Sequence, residues 1–283
     1  MLIFIGLGLS LDLMPLGSFV KLVRNCDKIV VDSYTSIWFP NLLELVNIFS
    51  KLGKEIVIAK RNYLEGTNPL YLIEESRKRN VCIAVSGDPF IATTHIALAV
   101  EGMNRDIDVE VVPGTSIVSV AMSVSCLQSY RFGKMVTLVK PREGIRFEYP
   151  LMVIKENRSR NLHSLLLLDL DIESGYYMTP SEAAEIIIET QKSLGIEVIN
   201  ANTDKLVILE ALGSANQSIH LKTLNELLHE KNIYKQPPYT IIVPAQKLHP
   251  IEEECLRNIS KLRYRPSCSI HELHHIADIL TIT

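Results

Sequence analysis

Near the end of the 283-residue chain the string HELHH, His271 to His275, fits H-E-x-x-H. That spacing sets two histidines one helical turn apart, where they can hold zinc beside a glutamate general base. A hydrolytic zinc site needs a third ligand. After His275 only Ile276 to Thr283 follow, and Asp278 is the sole side chain of suitable type. The string reads more simply as a polar stripe on a terminal helix, and no metal site is assigned.

Three other stretches place reactive or small residues at strand ends. GLGL, Gly6 to Leu9, follows an apolar run, but Leu11 stands where the third glycine of a dinucleotide fingerprint belongs. It can be a tight turn, or a place where small residues let a ligand approach the backbone. SGDPFIATTH, Ser86 to His95, sets the carboxylate of Asp88 just beyond a fully apolar run, where open α/β sheets bind their ligands. The plainer alternative is a Gly-Asp-Pro turn with Thr93 or Thr94 as a helix cap. PGTSI, Pro113 to Ile117, repeats the theme, with Thr115 or Ser116 able to cap a helix and exposed amides able to meet a polar ligand.

The elements that position these loops are legible as short runs rich in Val, Ile and Leu. LIFIG (Leu2 to Gly6), KIVVD (Lys28 to Asp32), EIVIA (Glu55 to Ala59), VCIAVSG (Val81 to Gly87) and VEVVPG (Val109 to Gly114) alternate with segments of helical spacing. Strands apolar on both faces predict a mostly parallel sheet covered by helices on both sides. From Arg131 to Pro150 the rhythm breaks, with Pro141, Gly144 and Pro150, and a connection between domains is expected there, entered by the strand MVTLVK. HSLLLLDL, KLVILEA, SIHLK and YTIIVPA follow at closer spacing and predict a second domain with a mixed sheet. Before KLVILEA, Thr179, Pro180 and Glu182 predict a helix start closed by a capping box.

Composition bounds the rest. Apolar residues are 47% and charged residues 22% of the chain, ordinary for a globular protein, and the net charge of -3 offers no bulk attraction to nucleic acid. KLRYRPS, Lys261 to Ser267, is a basic run that reads as solvated surface. MLIFIGLGLSLDLM has no basic residue before its apolar run, and Asp12 interrupts it, so it reads as a buried first strand, with no membrane segment. Cys26, Cys82, Cys126, Cys255 and Cys268 are odd in number, scattered and without a C-x-x-C pair. They suit a reducing cytoplasm and argue against a disulfide framework.

FIGLGLS, GDPFIATTH, PGTSI, LQSYRFGK, VIKENRSRNLHSLLLLDL, MTPSEA and QPPYTIIVPA occur in this order across residues 1 to 247. Together they resemble the diphthine synthases, a family within the tetrapyrrole (corrin/porphyrin) methylase superfamily. GLG and GDP carry the superfamily; GDP-x-x-ATTH and Leu-Gln-x-Tyr-x-Phe-Gly carry the narrower family. The resemblance implies two α/β domains, residues 1–125 and 126–249, with a helical tail over 250–283 beyond it. It implies S-adenosylmethionine held in the cleft between the domains, and a homodimer. It also implies successive methyl transfers to the amino group of a modified histidine on translation elongation factor 2, a step toward diphthamide. Carried across by position, the cofactor contacts are Leu9, Asp88, Ile91, Ser116, Ile117 and Leu168, with Leu212 and Tyr239. The first loop departs from the family, reading LDLMPLG in place of an acidic run, and Leu212 stands where Ala is common.

Methyl transfer from a sulfonium to an amine needs an in-line approach and a neutral nitrogen. Alignment alone can supply up to about 7 to 11 kcal/mol, so neither a metal nor a covalent nucleophile is required. If a side chain handles the amine's proton, the candidates are Asp88, Tyr34, His95 and Tyr130. Rival readings are the same scaffold acting on a corrinoid or on ribosomal RNA, a binding protein without turnover, and a zinc hydrolase built on HELHH.

Overall fold

A computed structural model describes residues 1–66, 69–142, 148–230, 233–263 and 277. HELHH lies outside the described residues, as does the end of KLRYRPS. The chain forms two compact units. Of the described residues, unit 1 takes those within 1–117 and 172–174, with Ala277, and unit 2 those within 118–171 and 175–263.

In unit 1 the five apolar runs form β1 (Leu2–Gly6), β2 (Lys28–Asp32), β3 (Glu55–Ala59), β4 (Val81–Val85) and β5 (Val109–Val112). They alternate with α1 (Leu16–Asn25), α2 (Leu42–Lys51), α3 (Arg61–Leu64), α4 (Leu70–Ser76) and α5 (Ile96–Asn104). The sheet order is β3-β2-β4-β1-β5 and every pair is parallel. Alternation along each strand feeds two separate cores. Ile3, Ile5, Ile29 and Val31 pack with Phe19 and Leu22 of α1 and Ile48 and Phe49 of α2. Leu2, Phe4, Val30 and Ile83 face the other way, onto Leu72 and Ile73 of α4 and Leu98 of α5. β1, β2 and β4 are therefore buried along their whole length, as the unbroken apolar runs predicted. Because β4 enters between β1 and β2, the strand order reverses beside it, which is where such sheets bind ligands beyond the strands' carboxyl ends.

Unit 2 comprises α6 (Ile117–Val124, its first residue belonging to unit 1), β6 (Val136–Leu138), α7 (Tyr149–Ser159) and β7 (Ser164–Leu168). A hairpin of β8 (Leu170–Asp171) and β9 (Tyr176–Tyr177) follows, then α8 (Pro180–Leu194), β10 (Leu206–Glu210), β11 (Ser218–Lys222), α9 (Leu224–His229), β12 (Tyr239–Val243) and α10 (Pro250–Arg257). The sheet order is β11-β10-β12-β7-β6, antiparallel except for β6 beside β7, so the mixed sheet is present. Ile154 of α7, Ala184 and Ile187 of α8, and Leu224 and Leu227 of α9 close one face over Leu166, Ile208 and Ile241.

Several local expectations are corrected. The stretch from Arg131 to Pro150, expected to connect two domains, lies inside unit 2, since the chain changes unit between Ile117 and Val118; it carries β6 and ends as α7, with Pro150 in the first turn, where a missing N–H costs nothing. Thr179 does cap α8, accepting from Glu182 N at 3.1 Å, but the return half of the box is absent because Glu182 Oε1 accepts from the Tyr176 hydroxyl at 3.0 Å. Neither Thr93 nor Thr94 caps α5: the residue before the helix is His95, Thr93 bonds back to Pro89 O, and Thr94 donates to Glu65 at 2.8 Å. Nor are the cysteines all free thiols. Cys26 is bonded to Cys82 and Cys126 to Cys255, with Cα–Cα distances of 5.8 and 5.4 Å. These pairs are 56 and 129 residues apart in sequence, so spacing could not reveal them. A disulfide framework is thus present within each unit, against the reading of the thiols as reduced.

Candidate functional site

The loops leaving β1, β4 and β5 touch through their backbones. Gly8 and Gly87 exchange hydrogen bonds, Gly8 N to Gly87 O at 3.1 Å and Gly87 N to Gly8 O at 2.7 Å. A Cβ on Gly6 would lie 2.4 Å from Gly114 N, and one on Gly114 only 2.1 Å from Gly87 O. The small residues of GLGL and PGTSI are therefore required by the close approach of neighbouring loop backbone. Asp88 fastens the same corner. Its Oδ1 accepts from Phe90 N at 2.9 Å and Ile91 N at 3.2 Å, and its Oδ2 accepts from Gly114 N at 3.1 Å.

Around this corner Leu9 and Ser116 are buried, while the Ile91 side chain is 41% exposed, high for a large aliphatic residue. Ser10 and Ser86, at the exits of β1 and β4, are buried with hydroxyls that have no hydrogen-bond partner. Unsatisfied hydroxyls beside apolar side chains fit a ligand with a polar sugar and a flat aromatic base, which is the make-up of S-adenosylmethionine.

A second polar corner sits where β2 ends. Asp32 is buried and accepts from Tyr34 N at 2.8 Å, Thr35 N at 3.0 Å, the Thr35 hydroxyl, and His95 Nε2 at 2.8 Å. The Arg61 guanidinium lies 4.8 Å from the centre of the Tyr34 ring. Burial, and then the Asp32 and Glu65 carboxylates, push the Tyr34 phenol far above its ordinary value, so it stays protonated. Asp32 was not singled out from the sequence. Its signal is a strand, KIVVD, that closes on a carboxylate with hydroxyl residues in all of the next four positions, Ser33 to Ser36.

In unit 2 the expected contacts collect at one end of the three inner strands, β10, β12 and β7. Register pairs Leu138 with Leu168, Leu167 with Thr240, and Tyr239 with Glu210, and Leu212 lies two residues beyond β10. Leu168, Leu212 and Tyr239 are all buried. Glu210 accepts from Gln236 N at 2.8 Å and so holds the QPPY loop. Burial and the Glu210 carboxylate push the Tyr239 phenol up to about 12.

Tyr130 stands apart, 79% exposed on a single 3₁₀ turn, Ser129–Arg131. That turn is fastened from below by Glu252 of α10. The carboxylate accepts from Gln128 N at 2.9 Å, His249 N at 2.8 Å, His163 Nε2 at 3.0 Å and the Arg131 guanidinium. Burial opposes ionisation of Glu252, but these donors outweigh it and hold the carboxyl below its usual value. Burial also keeps His163 below the ordinary histidine value, its Nδ1 accepting from Ala245 N at 2.9 Å.

A family model described as Tetrapyrrole (Corrin/Porphyrin) Methylases matches residues 1–228. The chain is 44% identical over 264 residues to a diphthine synthase of Staphylothermus marinus, covering 93% of this chain and 94% of that protein. It is 37% identical over 258 residues to a diphthine synthase of Metallosphaera sedula, covering 91% and 98%. A crystal structure of diphthine synthase superposes with a TM-score of 0.78 at 31% identity, covering 92% of this chain and 96% of that one. A putative diphthine synthase from Entamoeba histolytica superposes with a TM-score of 0.79 at 28% identity, covering 94% and 99%.

Proposed function

The chain belongs to the tetrapyrrole (corrin/porphyrin) methylase family, in its diphthine synthase branch, and we propose that its acceptor is the amino group of the modified histidine on translation elongation factor 2, carried to the trimethylated state on the route to diphthamide. It is an S-adenosylmethionine-dependent methyltransferase of diphthamide biosynthesis. The observation that carries the acceptor is the 44% identity over 93% of the chain to a protein named for that step.

S-adenosylmethionine, when bound, supplies a methyl group on a positively charged sulfur. The chain's own share is to hold, align and dry the reactants. In this proposal Leu9, Ile91 and Ile117 wall the adenosine, with Ser116 beside them and the Ser10 and Ser86 hydroxyls available to its polar edges. Asp88 keeps the loops after β4 and β5 at one separation, so the wall is formed before the ligand arrives. Leu168, Leu212 and Tyr239 are assigned to the cofactor by the resemblance, and the neutral Tyr239 phenol can donate a hydrogen bond.

The proposed partners are the elongation factor and a second copy of the chain. Ile96, Val100 and Met103 form a stripe on α5 with 50%, 44% and 52% exposure, beside the edge strand β5, and a second copy would cover it. Among the described residues no helix is long and apolar enough to cross a membrane. A cytoplasmic location is proposed because the substrate is a translation factor.

The test is label transfer from S-adenosylmethionine, with chelator present, to elongation factor 2 taken from cells lacking this methylation step. Label that disappears when the target histidine is replaced supports the reading. No label on the factor, with cofactor binding intact in calorimetry, sends the acceptor elsewhere.

A further inference from the structure

Two hydrogen-bonding atoms are left over in one buried corner of unit 1. His95 Nδ1 and Tyr34 Oη are both shut off from solvent; Nδ1 has no hydrogen-bond partner, and the Tyr34 hydroxyl has only the nearby Glu65 carboxylate, without a well-formed bond to it. Leaving such an atom unsatisfied in the interior works against folding unless something else takes it up. The rest of the corner is saturated, because Asp32 takes four donors, among them His95 Nε2 at 2.8 Å. With Nε2–H pointed at that carboxylate, the neutral ring carries a bare lone pair on Nδ1. The Tyr34 ring stands edge-on to the imidazole, centroids 6.1 Å apart, so the two atoms belong to neighbouring side chains. A purely structural histidine would need only the bond to Asp32, and would gain stability by satisfying Nδ1 as well, as His163 does through Ala245 N.

Position favours chemistry over packing. His95 closes the same ten-residue segment that carries Asp88 and Ile91, and Asp32 ends the strand adjoining β4. A carboxylate that fixes the tautomer of an imidazole and steadies the cation it becomes is the arrangement by which catalytic triads let histidine take a proton from a reacting group. Resting on the reading above, we infer that His95 Nδ1 takes the proton from the acceptor's ammonium group, with Asp32 as its positioning residue and Tyr34 Oη as a second acceptor that orients the ammonium.

The step balances with the cofactor as the only co-reactant. One N–H bond of the ammonium breaks, its electron pair stays on nitrogen, and the proton joins Nδ1 to give an imidazolium against Asp32. The amine lone pair then forms the new N–C bond while the electrons of the S–C bond return to sulfur. The imidazolium releases its proton to water before the next methyl, one proton for each group added. The charged groups facing the corner are Asp32 directly, with Arg61 and Glu65 around Tyr34 and Glu65 accepting from the Thr94 hydroxyl at 2.8 Å.

Two measurements test this. Nitrogen-15 spectra of the wild-type chain labelled at histidine, with the His95 ring assigned through its contact with the Tyr34 ring, should show protonated Nε2 and bare Nδ1 at neutral pH; a ring protonated at Nδ1 and bare at Nε2 overturns the proposal. His95→Gln keeps a donor for Asp32 but has no basic atom. It should bind S-adenosylmethionine within twofold of wild type in calorimetry, while methyl transfer to the elongation factor at pH 7 falls by about a hundredfold or more. Its rate should then climb steadily into the alkaline range as solvent frees the amine. Wild-type transfer with an unchanged rate and pH profile in His95→Gln overturns the role of His95 and leaves the proposed function standing. No transfer by the wild type itself removes the proposed function, and this role with it. If His95→Gln does not fold, the nitrogen-15 result on the wild type decides.

Discussion

Asp88 lies just beyond β4 and spends its carboxylate on loop backbone. That carboxylate reaches three backbone N–H groups on two loops and so clamps them together. Asp88→Asn turns one acceptor into a donor against an amide, so a loss of about 1–3 kcal/mol in unfolding free energy is expected, together with weaker S-adenosylmethionine binding in calorimetry. The Glu252 and His163 pair makes a second prediction. The fold holds His163 below its ordinary 6.5, so the unfolded chain binds a proton that the native chain refuses, and that stability is complete above pH 6.5 and declines as pH falls from it. Glu252 is held below its ordinary 4.5, so its contribution persists above that value and is lost as pH falls through the native one. Urea unfolding across pH should show a first decline below pH 6.5 and a steeper one below 4.5. Glu252→Ala, which leaves Arg131 without its buried counter-ion, should cost roughly 3–5 kcal/mol at pH 7.

At the scale of elements, most of unit 1 could be read directly. A five-residue apolar run such as LIFIG is buried on both faces, and burial on both faces is what a covered parallel strand requires. GDP and PGTSI were legible for the same reason, because a strand end followed by a turn has a known place in such sheets. What stayed hidden depends on contacts between distant residues. α7 begins inside a stretch that looks like a connection, since its Pro150 reads as a breaker until the first turn is seen around it. Asp32 and His95 are 63 residues apart and meet only because β2 and β4 are neighbours. The same holds for the two disulfides. The meeting of the three glycine loops gives this scale its prediction: Gly114→Ala puts a methyl group 2.1 Å from Gly87 O, so the exits of β4 and β5 must part. Cofactor affinity should drop by more than tenfold in calorimetry, with the strand content seen by circular dichroism unchanged. Unaltered affinity would mean that this corner does not form the cofactor wall.

At the scale of the molecule, the family accounts for both units, since its model runs through residue 228 and the relatives align over more than nine-tenths of the chain. Among the described residues the stripe of Ile96, Val100 and Met103 is left exposed, and the proposed dimer predicts that light scattering gives a dimer for the wild type and a monomer for Val100→Lys, with thermal unfolding of the subunit nearly in place. The central claim concerns the acceptor atom. Purified chain, S-adenosylmethionine and elongation factor 2 bearing the unmethylated side chain should be incubated with chelator, digested, and the target peptide fragmented in a mass spectrometer. The account predicts the added mass of three methyl groups on the amino nitrogen of the modified histidine. A peptide that gains no mass, or gains it on a carboxylate alone, would contradict it.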